Sequence, residues 1–140
     1  MKKFNIEIGK NIVLQKTVMK EDTGSNYGSG KLDTLLATPP ILDLIIKASV
    51  KLVDNLLDDE FVSVASNISF LHEKATMIGE SVSVKVEVTK QIGNLIFLDA
   101  IAYDEIGIIG RGKHERAIVN EKALLEKASK RANKLKNVNY

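Results

Sequence analysis

The spacing of hydrophobic and polar residues changes along the chain, and it predicts where strands and helices lie. Residues 82–88 alternate strictly between valine and polar side chains, the pattern of a strand with one buried face. Residues 38–57 instead carry apolar side chains at helical spacing on more than one face. The pattern therefore predicts a half-buried strand at 82–88 and, before it, a long helix that the rest of the chain covers on most sides.

The other segments are mostly predicted to be strands. Their apolar runs and turn residues predict strands at 4–18, 61–72, 95–103 and 108–119, turns at 93–94 and 104–107, and a helix at 121–135. Residues 20–31 contain three glycines and several small polar residues, so we expect an irregular loop that could act as a lid. One antiparallel sheet curled around one helix satisfies this order, which predicts the α+β class.

Composition adds limits to this picture. A length of 140 residues, 44% of them hydrophobic, fits a single domain, with its core at 4–120 and a C-terminal helix at 121–136. The chain has no cysteine, which excludes disulfides, thiol nucleophiles and cysteine metal sites. No apolar run of signal-peptide length follows the first residues, and charges interrupt the apolar stretch at 41–57. We therefore expect a cytoplasmic protein with no membrane partner.

The C-terminal helix is basic, with Lys or Arg at six positions of 121–136, diluted by two glutamates. A solvated helix face is the simpler interpretation, and contact with a phosphate group is the alternative. We predict no nucleic-acid partner, because the net charge is only +2 and few aromatic residues are available for stacking. His72 and His114 lack any metal-binding spacing, so no metal site is predicted.

Thr38 stands at the clearest helix start in the chain. Pro39 and Pro40 follow it, and proline is tolerated in the first helical turn because its missing N–H would be unpaired there anyway. From its position alone, Thr38 is predicted to cap this helix. A helix start could also hold a carbonyl oxygen as it becomes an oxyanion, although the two prolines remove two of the usual donors.

Two histidines and a carboxylate are further candidates for chemistry. His72 ends an apolar strand, where it could act as a general base or orient a water, while a purely structural role is the alternative. His114 and Arg116 share one face of the last strand, as either an anionic-ligand contact or a structural network. Asp43 is a carboxylate on an apolar helix, where it could also form an ordinary surface pair with Lys47.

Three segments occur in a specific order. They are Leu36-Ala37-Thr38-Pro39, then His72-Glu73-Lys74-Ala75-Thr76 with Gly79, then Asp104-Glu105-Ile106-Gly107 leading to Gly112-Lys113-His114-Glu115-Arg116-Ala117-Ile118-Val119. With these segments, roughly residues 8–125 resemble the fluoroacetyl-CoA thioesterase family of hotdog-fold proteins. The resemblance implies a hotdog fold, in which an antiparallel sheet wraps around a long central helix. It also implies a homodimer with sites at the subunit interface, and it leaves a tetramer open.

The resemblance further implies hydrolysis of a small acyl-CoA thioester, with coenzyme A as part of the substrate and no separate cofactor. It identifies Thr38 with the family's catalytic threonine and His72 with its catalytic histidine. The family's catalytic glutamate corresponds to Ile46, which can act neither as a base nor as a nucleophile. Asp43 is then a possible substitute, and Ile46, His114 and Arg116 are candidate substrate contacts. The alternative is a domain that binds or senses acyl-CoA without turnover.

Overall fold

Five strands and one long helix make up most of the computed structural model, which describes residues 4–137. The elements are β1 (Asn11–Thr17), α1 (Gly24–Tyr27), α2 (Thr38–Asp54), β2 (Phe61–His72), β3 (Ser81–Ile92), β4 (Leu95–Tyr103), β5 (Ile108–Asn120) and α3 (Glu121–Asn133). The strand predicted at 4–18 is therefore shorter at its start, and the one predicted at 82–88 is longer. The order of elements agrees with the pattern along the chain.

All strand pairs are antiparallel, and they form a single sheet in the order β1-β3-β4-β5-β2. The segment between the edge strands β1 and β2 contains α2, which packs against β1, β2 and β3. β3, β4 and β5 follow one another through short turns, as the turn residues predicted. The predicted α+β arrangement, one antiparallel sheet curled around one helix, is confirmed.

The core lies between α2 and the inner face of the sheet. The four valines that alternate along β3 are all fully buried, and they face the apolar stripe of α2. Buried residues of that stripe are Ile41, Leu44, Ile45, Ala48, Leu52 and Val53. Burying each of the isoleucine, leucine and valine side chains among them stabilises the fold by about 1.5–3 kcal/mol. The helix is covered on one face rather than on most sides, since Asp43, Lys47 and Lys51 are exposed.

The last helix lies largely outside this core. α3 begins after Asn120, whose side chain accepts a hydrogen bond from the Ala123 N–H at 2.9 Å, and none of its residues is buried. It ends at Asn133 and continues as a 3₁₀ turn from Lys134. Within residues 4–137, no helix is long and apolar enough to cross a membrane.

Candidate active site

The start of α2 and the end of β2 bring together two polar side chains that are 34 residues apart in sequence. The Thr38 Oγ1 and His72 Nδ1 atoms lie 2.9 Å apart, a hydrogen-bonding distance. Ala37 is the residue that precedes the first helical turn, and it makes no side-chain cap. The prediction that Thr38 caps the helix is therefore wrong, because its hydroxyl is used on the imidazole instead.

Burial sets the protonation of His72. It lowers the pKa of the imidazole below the ordinary value of 6.5, because the charged form is poorly solvated there, and the Lys74 backbone opposes this only in part. The Nε2 atom is buried and has no hydrogen-bond partner among residues 4–137. At neutral pH His72 is therefore mostly a neutral imidazole, joined to Thr38 through Nδ1.

Phe70 supports the histidine, and sequence reasoning did not find it. Its ring lies edge-on to the His72 imidazole, with the two centroids 6.0 Å apart. Gly112 is paired with Phe70 across β2 and β5. A Cβ atom at Gly112 would lie 2.5 Å from the Ser69 carbonyl oxygen and 3.0 Å from a Phe70 ring carbon. Gly112 therefore lets this ring lie close to β5, beside His72.

We expect Gly112→Ala to loosen this arrangement, because the added methyl group must push the Ser69 backbone or the Phe70 ring away. The free energy of unfolding should fall by about 1–3 kcal/mol. As the histidine becomes more exposed, its pKa should rise toward the ordinary value, which a titration followed by NMR would measure. Gly107→Ala is the matched control, since a Cβ there meets nothing within 4 Å. Equal effects of the two variants would contradict the role of Gly112.

A cavity of about 570 Å³ opens beside the Thr38–His72 pair. Its other wall comes from the loop predicted at 20–31, with Tyr27, Gly28 and Ser29 in the lining. The prediction of an irregular loop is wrong, because the segment contains α1 and two 3₁₀ turns. Gly24 permits its fold, since a Cβ there would lie 2.7 Å from the Leu32 carbonyl oxygen.

The structure does not bring the other helix candidates to this cavity. Asp43 is exposed, and its carboxylate lies 2.8 Å from the Lys47 Nζ, which is the surface pair that its spacing allowed. Ile46 is half-buried, and at 1.5 Å per residue it lies about 12 Å along the helix axis from Thr38. Neither residue lines the cavity. Within one copy of the chain, the cavity lining therefore includes no carboxylate from α2.

His114 and Arg116 form a cross-strand network with the part of β2 between Ser63 and Asn67. Arg116 donates from Nε to the Ser63 hydroxyl at 2.7 Å and from Nη2 to the Ser63 carbonyl at 2.8 Å. The Ser63 hydroxyl donates to Asp54 at 2.5 Å. Both Arg116 and His114 are buried, and Ser63 lies nine residues, or about 30 Å, from His72 along the strand. Of the two interpretations from the sequence, this arrangement fits the structural network rather than a contact with an anionic ligand.

The network also determines the protonation of His114. The Asn67 carbonyl accepts a hydrogen bond from Nδ1 at 2.8 Å, so Nε2 carries no proton and accepts from the Arg116 guanidinium at 3.1 Å. Burial lowers the pKa of His114, and the nearby Arg116 cation lowers it further, although the Asn67 backbone opposes both. A proton on Nε2 would point at a cation.

We expect this histidine to make the fold acid-sensitive. Because its pKa is lower in the folded than in the unfolded chain, its contribution to stability is complete above about pH 6.5 and is lost as the pH falls toward the folded pKa. Melting temperatures at pH 7.5 and pH 5 should differ more for the wild type than for His114→Gln. An unchanged difference in the variant would mean that His114 does not carry this effect.

Comparisons with known proteins agree with the fold. The profile of the fluoroacetyl-CoA-specific thioesterase family matches residues 18–122. A hot-dog-like protein from Thermanaerovibrio acidaminovorans superposes with a TM-score of 0.84 and 27% identity, over 89% of this chain and 91% of that one. A thioesterase superfamily member from Thermus thermophilus has a TM-score of 0.81 and 24% identity, over 92% and 97% of the two chains.

The fluoroacetyl-CoA thioesterase FlK superposes with a TM-score of 0.81 and 23% identity, over 90% of this chain and 97% of that one. Crystal structures of FlK variants contain acetyl-CoA, or fluoroacetate together with CoA. No curated protein sequence matches the chain significantly. The predicted hotdog fold is confirmed by these superpositions.

Proposed function

Because the chain belongs to the fluoroacetyl-CoA-specific thioesterase family, we propose that it hydrolyses a small acyl-CoA thioester at the cavity beside Thr38 and His72. The observation that carries the proposal is the 2.9 Å contact between the Thr38 hydroxyl and the His72 imidazole. A hydroxyl held by a neutral imidazole at the wall of a cavity can interact with a thioester carbonyl, which is the group that must react.

The hydrogen bond between the two residues can serve hydrolysis in two directions. If Nδ1 accepts the threonine proton, the hydroxyl oxygen gains nucleophilic character. If Nδ1 carries the proton, it donates to the threonine oxygen, whose own hydrogen can then hold the thioester oxygen as negative charge develops. In both cases Thr38 contacts the substrate and His72 acts on Thr38.

The assembly is a second part of the proposal. β2 lies at one edge of the sheet, and among residues 4–137 its twelve residues pair with β5 on one side alone. Pairing of this edge with a second copy would satisfy the free backbone groups and continue the sheet across a homodimer. Ile46 lies about 12 Å along α2 from Thr38. In such a dimer it would contact a substrate only at a site formed together with the partner subunit. Light scattering during size-exclusion chromatography tests this assembly. A homodimer should have twice the 15.4 kDa mass of one chain, and a mass of 15.4 kDa would contradict it.

The proposed activity is tested with a panel of acyl-CoA esters, from acetyl upward in chain length, and colorimetric detection of the released thiol. We expect the fastest release from short acyl groups, since the 570 Å³ cavity must also admit the end of the coenzyme A chain. Thiol release no faster than the background hydrolysis of every ester in the panel would overturn the proposal.

One observation favours a second candidate, a domain that binds acyl-CoA without turnover. The residue at the family's glutamate position is Ile46, and no carboxylate is hydrogen-bonded to Thr38 or His72 among residues 4–137. This candidate predicts thermal stabilisation by acyl-CoA without thiol release. A ligand at 100 times its dissociation constant would add about 2.7 kcal/mol to the free energy of unfolding.

A further inference from the structure

Neither ring nitrogen of His72 is open to a water from the cavity in this structure. Its Nδ1 atom is occupied by the Thr38 hydroxyl, and its Nε2 atom is buried. Hydrolysis nevertheless requires a group that accepts a proton from the attacking water. If the chain is a thioesterase, as proposed above, this acceptor must be a different side chain on the cavity wall.

Glu73 is the side chain in the described lining that fits this requirement. Among those lining residues it carries the only carboxylate, and Lys74 carries the only ammonium group. Its backbone N–H donates to the Ile109 carbonyl at 2.8 Å, which holds this segment at the end of the sheet. The side chain is exposed, and no described residue forms a hydrogen bond or an ion pair with its carboxylate. Within the described residues, the carboxylate therefore has no partner that would compete with a water.

We propose that Glu73 is the catalytic base, and that it replaces the carboxylate missing at Ile46. The carboxylate takes one proton from a water as the water oxygen bonds to the thioester carbonyl carbon. The carbonyl electron pair moves to the oxygen, where the Thr38 hydroxyl holds the oxyanion and His72 positions Thr38. When the carbonyl re-forms, the C–S bond breaks and the coenzyme A sulfur takes the proton from Glu73, leaving a carboxylic acid and a free thiol.

The test compares Glu73→Gln with the wild type on the best substrate of the panel. We expect kcat to fall about 100-fold or more, with a smaller change in KM, because a general base contributes about 10²–10⁴-fold. Glu126→Gln on α3 removes the same charge from an exposed helix, and should keep the wild-type rate. Since Glu73 is also exposed, thermal melting should show that both variants remain folded.

Chemical rescue separates a base from a structural role. Added formate should raise the rate of Glu73→Ala, because the shortened side chain leaves room for a small carboxylate, and it should not raise the rate of His72→Ala. Wild-type rates in Glu73→Gln would overturn this proposal while leaving the thioesterase assignment intact. A loss in Asp43→Asn with none in Glu73→Gln would overturn it in favour of the helix carboxylate. No thiol release by the wild type would overturn both proposals together.

Discussion

His72→Ala should lower kcat for acyl-CoA hydrolysis by about 10²–10³-fold, because Thr38 then loses the imidazole that holds its hydroxyl in place for the oxyanion. Thr38→Val, which keeps the side-chain volume but removes the hydroxyl, should cause a loss of similar size. Thr38→Ser restores the hydroxyl and should recover most of the activity. The rates are measured by thiol release at saturating substrate. Equal rates in the wild type and His72→Ala would show that the pair plays no part in the reaction.

The pH dependence of kcat/KM gives the same prediction a second readout. Because burial lowers the pKa of His72, the neutral form persists below pH 6.5, the ordinary value for this side chain. The His72 contribution to the rate should therefore be retained at pH 6.5 and lost only in more acidic solution. A His72-dependent loss that is already complete at pH 6.5 would contradict the neutral imidazole inferred from the structure.

Arg116→Met should lower the free energy of unfolding by about 3–5 kcal/mol, the largest effect on stability that we expect. Methionine fills much of the volume but leaves the His114 Nε2 atom and the Ser63 carbonyl without a donor, and it removes the cation near Asp54. The melting temperature should fall by about 10–20 °C. Chemical denaturation of the purified variant gives the free energy directly.

Lys113→Met on the same strand is the matched control for this variant. Its side chain is 80% exposed and its Nζ atom lies 3.1 Å from an Asp99 carboxylate oxygen, and exposed pairs of this kind contribute about 0–1 kcal/mol. Wild-type stability in Arg116→Met would mean that the network is not structural. The contact with an anionic ligand, considered from the sequence, would then be the better interpretation of Arg116.

The residues of the proposed site were only partly predictable. Thr38 and His72 were identified through a resemblance of three segments to a known family, whereas local reasoning gave Thr38 the wrong role as a helix cap. A cap is a contact within a few residues, and the actual partner is 34 residues away. That Gly112 allows the close approach of Phe70 depends on the pairing of β2 with β5, which is set by the fold.

The sequence by itself determined the class of fold. Alternation along β3 and helical spacing along α2 are local patterns, and each buries an apolar face only if the sheet and the helix pack together. Which polar side chains meet is decided by register across the sheet and by where elements begin and end. Only the tertiary structure therefore joined Thr38 to His72, buried Arg116 with Ser63, and placed Glu73 on the wall of the cavity.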